Sequence, residues 1–140
     1  MDLIKRFLEY AEAFEKTYED DDWSRLEAFF TEDASYQFGD QRADGRTATL
    51  EMLRGSVDGL DRQMDSRTVD FDAPTTEGNT VHMDWKVTYT KTGCPDLVIS
   101  GHENAVFDGD RIKLLRDEMA PGAEAALNAW IADHGSKLGG

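Results

Sequence analysis

The sequence predicts an α+β domain, a curved antiparallel sheet with helices packed over one face, and three observations carry that prediction. Apolar residues recur at helical spacing in three stretches of the first half and again near the end. From Arg67 the period changes to two and stays there through three long runs. The order of elements is helices interleaved with one strand, then an antiparallel meander, then a helix, which matches helices segregated to one side of a sheet.

Leu3, Ile4, Phe7, Leu8, Ala11, Phe14 and Tyr18 mark the first amphipathic helix. "DWSRLEAFF" predicts a short second helix with Asp22 as its N-cap. "ASYQF" reads as a strand and "GDQRADGR" as a polar loop, and Leu50, Leu53, Val57, Leu60 and Met64 mark a third helix. Val69, Phe71 and Ala73 then alternate with Thr68, Asp70 and Asp72. "NTVHMDWKVTYTKTG" and "DLVISGHENAVF" are the next two strands, "DGD" is a hairpin turn, and "RIKLLRDEM" is the last strand. Pro121 can open a final helix that contains Ala126, Leu127, Trp130 and Ile131 and stops at Gly135, with His134 as a C-terminal cap residue.

The 140 residues fit a single domain, expected over residues 1–135 with a short C-terminal tail over 136–140. A formal charge of −14 argues against nucleic acid and anionic membrane surfaces as partners, because phosphate binding needs clustered Lys and Arg. No glycine-rich phosphate loop is present, and no cofactor is expected. "EDDDW" lacks the alternating ligand spacing of a calcium loop and reads as a solvated helix end, and the single Cys94 offers no metal cluster, so no metal is expected. No apolar run approaches membrane-spanning length, and "MDLIKRFLEY" reads as an amphipathic helix rather than a signal peptide. With one cysteine, the expected location is cytoplasmic.

His82 and Asp84 look like a catalytic pair, yet strand alternation assigns them the opposite face from Val81, Met83, Trp85, Val87 and Tyr89. The expected place for both is the solvent or subunit-contact side, and His102 takes the same reading. Two other ionisable groups break the pattern in the informative direction. Glu103 shares a face with Leu97, Ile99, Gly101, Ala105 and Phe107, and Asp117 shares one with Leu115 and Met119. A three-residue loop over Asp108, Gly109 and Asp110 would set Glu103 opposite Leu115 and make Asp117 its diagonal neighbour, about 7–8 Å away. A two-residue loop would instead place Arg116 opposite Glu103. Two such carboxyls in an apolar setting separate in pKa and supply an acid and a base, whereas a buried hydrogen-bond network with Tyr36 or Arg116 is the structural alternative.

The layout resembles the nuclear transport factor 2-like superfamily. The resemblance is carried by "FFTEDASYQF", "ADGR" and the closing "VFDGDRIKLLRDEM", and its nearest branch is the SnoaL-like polyketide cyclases, beside ketosteroid isomerases and limonene epoxide hydrolases. It implies a cone-shaped, cystatin-like fold with an apolar pocket between curved sheet and helices, and a homodimer formed through the other face of the sheet. On the isomerase pattern the tyrosine falls on Phe14 and the base aspartate on Phe38, while the second acid is kept as Glu103. On the cyclase pattern Asp117 takes the place of the acid–base aspartate and Glu103 that of a histidine. The epoxide hydrolases share "EDASYQ" and the terminal Arg-Asp, so Tyr36 and Asp117 match. Their water-holding asparagine falls on Phe38, and their Arg-x-Asp motif resembles "HMD" against the alternation.

The resulting expectation is a small hydrophobic ligand in a pocket lined by Phe14, Tyr36, Phe38, Phe71, Met83, Trp85, Tyr89, Phe107, Leu115 and Met119. Asp117 would exchange a proton, Glu103 would orient it or act as a neutral donor, and Tyr36 would donate a hydrogen bond. The chemistry would be of cyclase or isomerase type on a hydrophobic carbonyl compound. A non-catalytic ligand-binding or dimerisation module and an epoxide hydrolase-like enzyme are the alternatives.

Overall fold

The computed structural model describes residues 2–137. Helix α1 (Leu3–Asp20) is capped by Asp2, whose side chain accepts the backbone N–H of Lys5 at 3.1 Å. Its apolar stripe buries Phe7 and Tyr10. The expected second helix is a 3-10 helix, Trp23–Phe29, and Asp22 makes no capping bond to it. The Asp22 carboxylate accepts the Ser24 hydroxyl instead.

Strand β1 (Phe30–Phe38) starts earlier than "ASYQF", and the expected polar loop after it contains a short antiparallel partner, β2 (Gln41–Asp44). Helix α2 (Arg46–Gly59) buries Leu50, Leu53 and Val57 but ends before Leu60 and Met64, which lie on either side of a 3-10 turn over Asp61–Gln63. Strands β3 (Ser66–Phe71), β4 (Thr75–Glu77), β5 (Thr80–Thr90), β6 (Leu97–Asp108) and β7 (Arg111–Met119) complete a seven-stranded sheet. Ala73 lies beyond the end of β3. Helix α3 (Ala123–His134) starts after Gly122, and Gly135 ends it in an ordinary right-handed conformation. Residues Gly135–Lys137 form a 3-10 turn, and the rest of the expected tail, 138–140, lies outside the described residues.

The sheet order is β2-β1-β7-β6-β5-β3, with β4 also paired to β5. It is a curved α+β sheet, although not wholly antiparallel: β1 returns parallel beside β7. One core lies between α1, α2 and the β1–β7–β6 part of the sheet, around Phe7, Leu26, Phe30, Ile112 and Leu115. A second lies under α3, around Leu97, Ile99 and Trp130, whose indole N–H donates to the Pro95 carbonyl at 2.9 Å. Full burial of such side chains stabilises by about 1.5–3 kcal/mol each.

The β6–β7 hairpin differs from both expectations for it. Asp108 pairs with Arg111 and Phe107 with Ile112, so the loop has two residues, Gly109 and Asp110, with Gly109 at a left-handed φ of 64°. On the far side, however, Val106 pairs with Leu114, which makes Lys113 an extra residue in β7. This β-bulge shifts the register by one and sets Asp117 directly opposite Glu103, rather than Arg116 or a diagonal. It also changes the phase of β7: Ile112 points into the core, and Leu114 faces outward.

Candidate functional site

The concave side of the sheet, α1, α2 and the start of α3 enclose an open cavity of about 1070 Å³. Of the expected lining residues, Phe14, Phe38 and Tyr36 reach it from α1 and β1, Met83, Trp85 and Tyr89 from β5, and Met119 from β7. Phe71 lines the mouth and is 46% exposed. Phe107 and Leu115 do not reach the cavity. They lie further along the same inward faces, toward the turn end of the hairpin, where α1 closes over the sheet and packs them into the core.

Three side chains form the polar centre of the cavity. Asp117 and Glu103 oppose each other across β7 and β6, and the Tyr36 hydroxyl donates to Oδ2 of Asp117 at 2.8 Å. Asp117 is 7% exposed, and its other oxygen, Oδ1, is buried and accepts no protein hydrogen bond among the described residues. Burial raises the Asp117 pKa above the ordinary carboxylate range, while polar contacts with Glu103, Tyr36 and Trp85 pull it back. Of these contacts only the Tyr36 bond has full hydrogen-bond geometry.

Glu103 is held well above its ordinary value, first by burial and then by the charge of Asp117. The two carboxyls therefore titrate as a pair, and the hydrogen bond from Tyr36 to Asp117 favours leaving the proton on Glu103. Burial, reinforced by the two carboxylates, also raises the nearby Tyr10 hydroxyl well above its usual range, so Tyr10 is a neutral donor.

Trp85 is placed by a glycine. Gly101 is its cross-strand partner, and a Cβ there would sit 2.3 Å from the Glu118 carbonyl oxygen and 2.5 Å from the indole ring. The absence of a side chain lets the indole lie flat over β6 beside Asp117.

A second polar group in the cavity was not expected. Arg67 of β3 contacts Glu15 of α1 and Asp61 of the 3-10 turn, each at 2.8 Å, and the Tyr89 hydroxyl donates to Asp61 at 2.8 Å. The Arg67 side chain is 11% exposed. Burial raises the Asp61 pKa, with Tyr89 and Arg67 opposing it. The array ties α1, the turn and the sheet together at the β3 end of the cavity. Arg67 was legible, because it shares the inward phase of Val69 and Phe71.

His82 and Asp84 stand on the outer face, as alternation places them. Asp84 is exposed and His82 half-buried. The His102 ring bridges Asp84 at 2.7 Å and Asn104 at 2.8 Å and stacks on His82 at 5.7 Å. The Asp84 contact raises the His102 pKa. His134 packs on the Trp130 ring at 5.4 Å.

The raised pKa of Glu103 has a thermodynamic consequence. A carboxyl whose folded pKa exceeds its unfolded value binds more protons when folded. Its contribution to stability is complete below its ordinary value of 4.5 and is lost as pH rises through the folded pKa. Glu103→Gln removes that loss. Its melting temperature relative to wild type should climb as pH rises above about 4.5. A difference that stays flat over that range would show that Glu103 titrates as an ordinary carboxyl.

The sequence matches the SnoaL-like domain family over residues 9–118. No match is found among curated proteins. Solved structures with the same fold include an LEH-like epoxide hydrolase of M. tuberculosis, with 19% identity, TM-score 0.57 and coverage of 92% of this chain and 97% of that one. AclR, a putative hydroxylase from Streptomyces galilaeus, aligns at 11% identity and TM-score 0.64 over 91% of this chain and 98% of its own. A nuclear transport factor 2-like protein of unknown function from Cytophaga hutchinsonii aligns at 14% identity and TM-score 0.64 over 84% and 99%. At such identities the likeness is one of fold.

Proposed function

Because the chain belongs to the SnoaL-like domain family of the nuclear transport factor 2-like superfamily, we propose that its cavity takes a small hydrophobic carbonyl compound. On this reading Asp117, Glu103 and Tyr36 carry out cofactor-independent acid–base chemistry of the cyclase or isomerase type. The observation that carries it is the directly opposed carboxyl pair in the lining of the cavity, one buried oxygen of which has no protein hydrogen-bond partner among the described residues. Glu103, which keeps its proton, donates to the substrate carbonyl oxygen as charge develops there. Oδ1 of Asp117 takes the proton from the adjacent carbon and returns it at the position where the product needs it. Tyr36 holds Oδ2 and fixes the carboxylate plane.

Hydrolysis of an epoxide through Asp117 is the second reading, favoured by the Tyr36–Asp117 contact. The apolar Phe38 leaves an attacking water without a second acceptor in that position, which places this reading behind the first. The test is to incubate the protein with hydrophobic ketones in deuterated water and follow exchange of the protons next to the carbonyl by NMR. Wild type should exchange them. Ligands that stabilise the protein without any exchange or ring opening would leave a ligand-binding module.

We also propose that the chain pairs with itself through the outer face of the sheet. Val98 is 49% exposed at one end of β6 on that face, and the half-buried Val106 and Leu114 pair at the other end. Ile112, which strict alternation counted back from Asp117 would place on that face, is instead core because of the bulge at Lys113. Light scattering at micromolar concentration should report twice the 15.7 kDa chain mass, and Val98→Glu should halve it. A wild-type monomer under those conditions would end the idea.

A further inference from the structure

We propose that the ligand of the cavity carries a protonated nitrogen, its N–H donated to the Asp117 carboxylate and its apolar body lying against Phe14, Phe38, Met83 and Trp85. This rests on the cavity being the ligand site and narrows the substrate class.

Three observations converge on this ligand. The first is charge. Seven carboxyl side chains line the cavity against a single guanidinium, Arg67, among the described residues. That guanidinium is already engaged by Glu15 and Asp61. Asp40, Glu118 and Glu124 stand exposed around the mouth, so a ligand entering meets negative potential before it reaches the interior. An anion is disfavoured along the whole path.

The second observation is the unpartnered acceptor. Oδ1 of Asp117 is buried, in a cavity-lining residue only 7% exposed, and no protein donor serves it among the described residues. A buried carboxylate oxygen is satisfied best by a charged donor, which forms a shorter and stronger bond than a neutral one. The third is the lining. Tyr36 and Trp85 contact Asp117, Phe38 is its neighbour on β1, and all three line the cavity with Phe14, so aromatic rings of the kind that attract cations stand around the carboxylate. Aromatic faces around a carboxylate suit an organic ammonium better than a ketone alone.

A matched set of probes on one skeleton reads this directly: naphthylethylamine, naphthylethanol and naphthylpropanoate, titrated calorimetrically into the full chain at moderate salt. The amine should bind about 10-fold more tightly than the alcohol, and the carboxylate more weakly than either. The chain's overall charge of −14 could draw any amine weakly to the surface, so the decisive comparison is by variant. Asp117→Asn should bring the amine down to the alcohol. His82→Ala, on the outer face of the sheet, should preserve the preference. A second measurement needs no variant: the amine, and not the alcohol, should move the carboxyl carbon resonance of Asp117 in the wild-type protein.

Equal binding of amine and alcohol, tighter binding of the carboxylate, no binding of the amine, or an amine preference untouched in Asp117→Asn would each overturn the proposal. Exchange of a neutral ketone that is lost in Asp117→Asn would keep the acid–base reading alive even then, so the two failures are separable.

Discussion

Replacing Asp117 with Asn is expected to lower turnover by about 10²–10⁴-fold, the usual contribution of a positioned proton-transfer group. The fold should survive the change. Asn is close to Asp in size, its carbonyl oxygen can still accept the Tyr36 hydroxyl, and its amide can turn toward Glu103. Loss of one of two facing carboxyls also relieves the repulsion that raises the pKa of Glu103. The melting temperature at neutral pH should therefore stay level or rise while activity disappears. His82→Ala, on the outer face, should leave turnover within a few-fold of wild type. Full activity in Asp117→Asn would remove the catalytic reading and leave ligand binding.

The largest effect on stability at the site is expected from the smallest substitution, Gly101→Ala. The added methyl would lie 2.3 Å from a backbone oxygen and 2.5 Å from the Trp85 ring, so either β7 or the indole must move. Overpacking of this kind costs about 1–3 kcal/mol. For a chain of this size that corresponds to a fall in melting temperature on the order of 5–10 °C. The indole is the softer of the two obstacles, so near-ultraviolet circular dichroism should change as well, and binding of hydrophobic ligands should weaken because Trp85 lines the cavity. An unchanged melting temperature would mean that β6 and β7 are spaced more loosely than they stand here.

Strand alternation was the informative signal in the sequence, and its reach can be stated from individual residues. It placed Glu103 and Asp117 inward and His82 and Asp84 outward, as they stand in the fold. The same rule applied one strand earlier would have found Arg67. Asp61 and Glu15, its partners, were out of reach: one sits in a 3-10 turn with no period of its own, and the other on a helical flank crowded with charges. Period also says which face a residue takes but not how far along the sheet the cavity extends, which is why Phe107 and Leu115 were expected in it and belong to the core. β2 and β4 are too short and polar to show alternation at all. The proximity of the two carboxyls was anticipated, but through the wrong hairpin geometry, because nothing in "RIKLLRDEM" marks Lys113 as the bulged residue.

That extra residue makes chain length a chemical variable. Composition within the hairpin could drift freely while Asp117 kept its place, but insertion of one further residue into β7, with the bulge kept, would slide Arg116 opposite Glu103 and bring a guanidinium where a second acid now stands. An acid pair would become an ion pair, with the proton inventory of the cavity reversed and no catalytic side chain substituted. Within this architecture, insertions and deletions at a distant turn are therefore a route to new reactivity as direct as point mutation in the pocket.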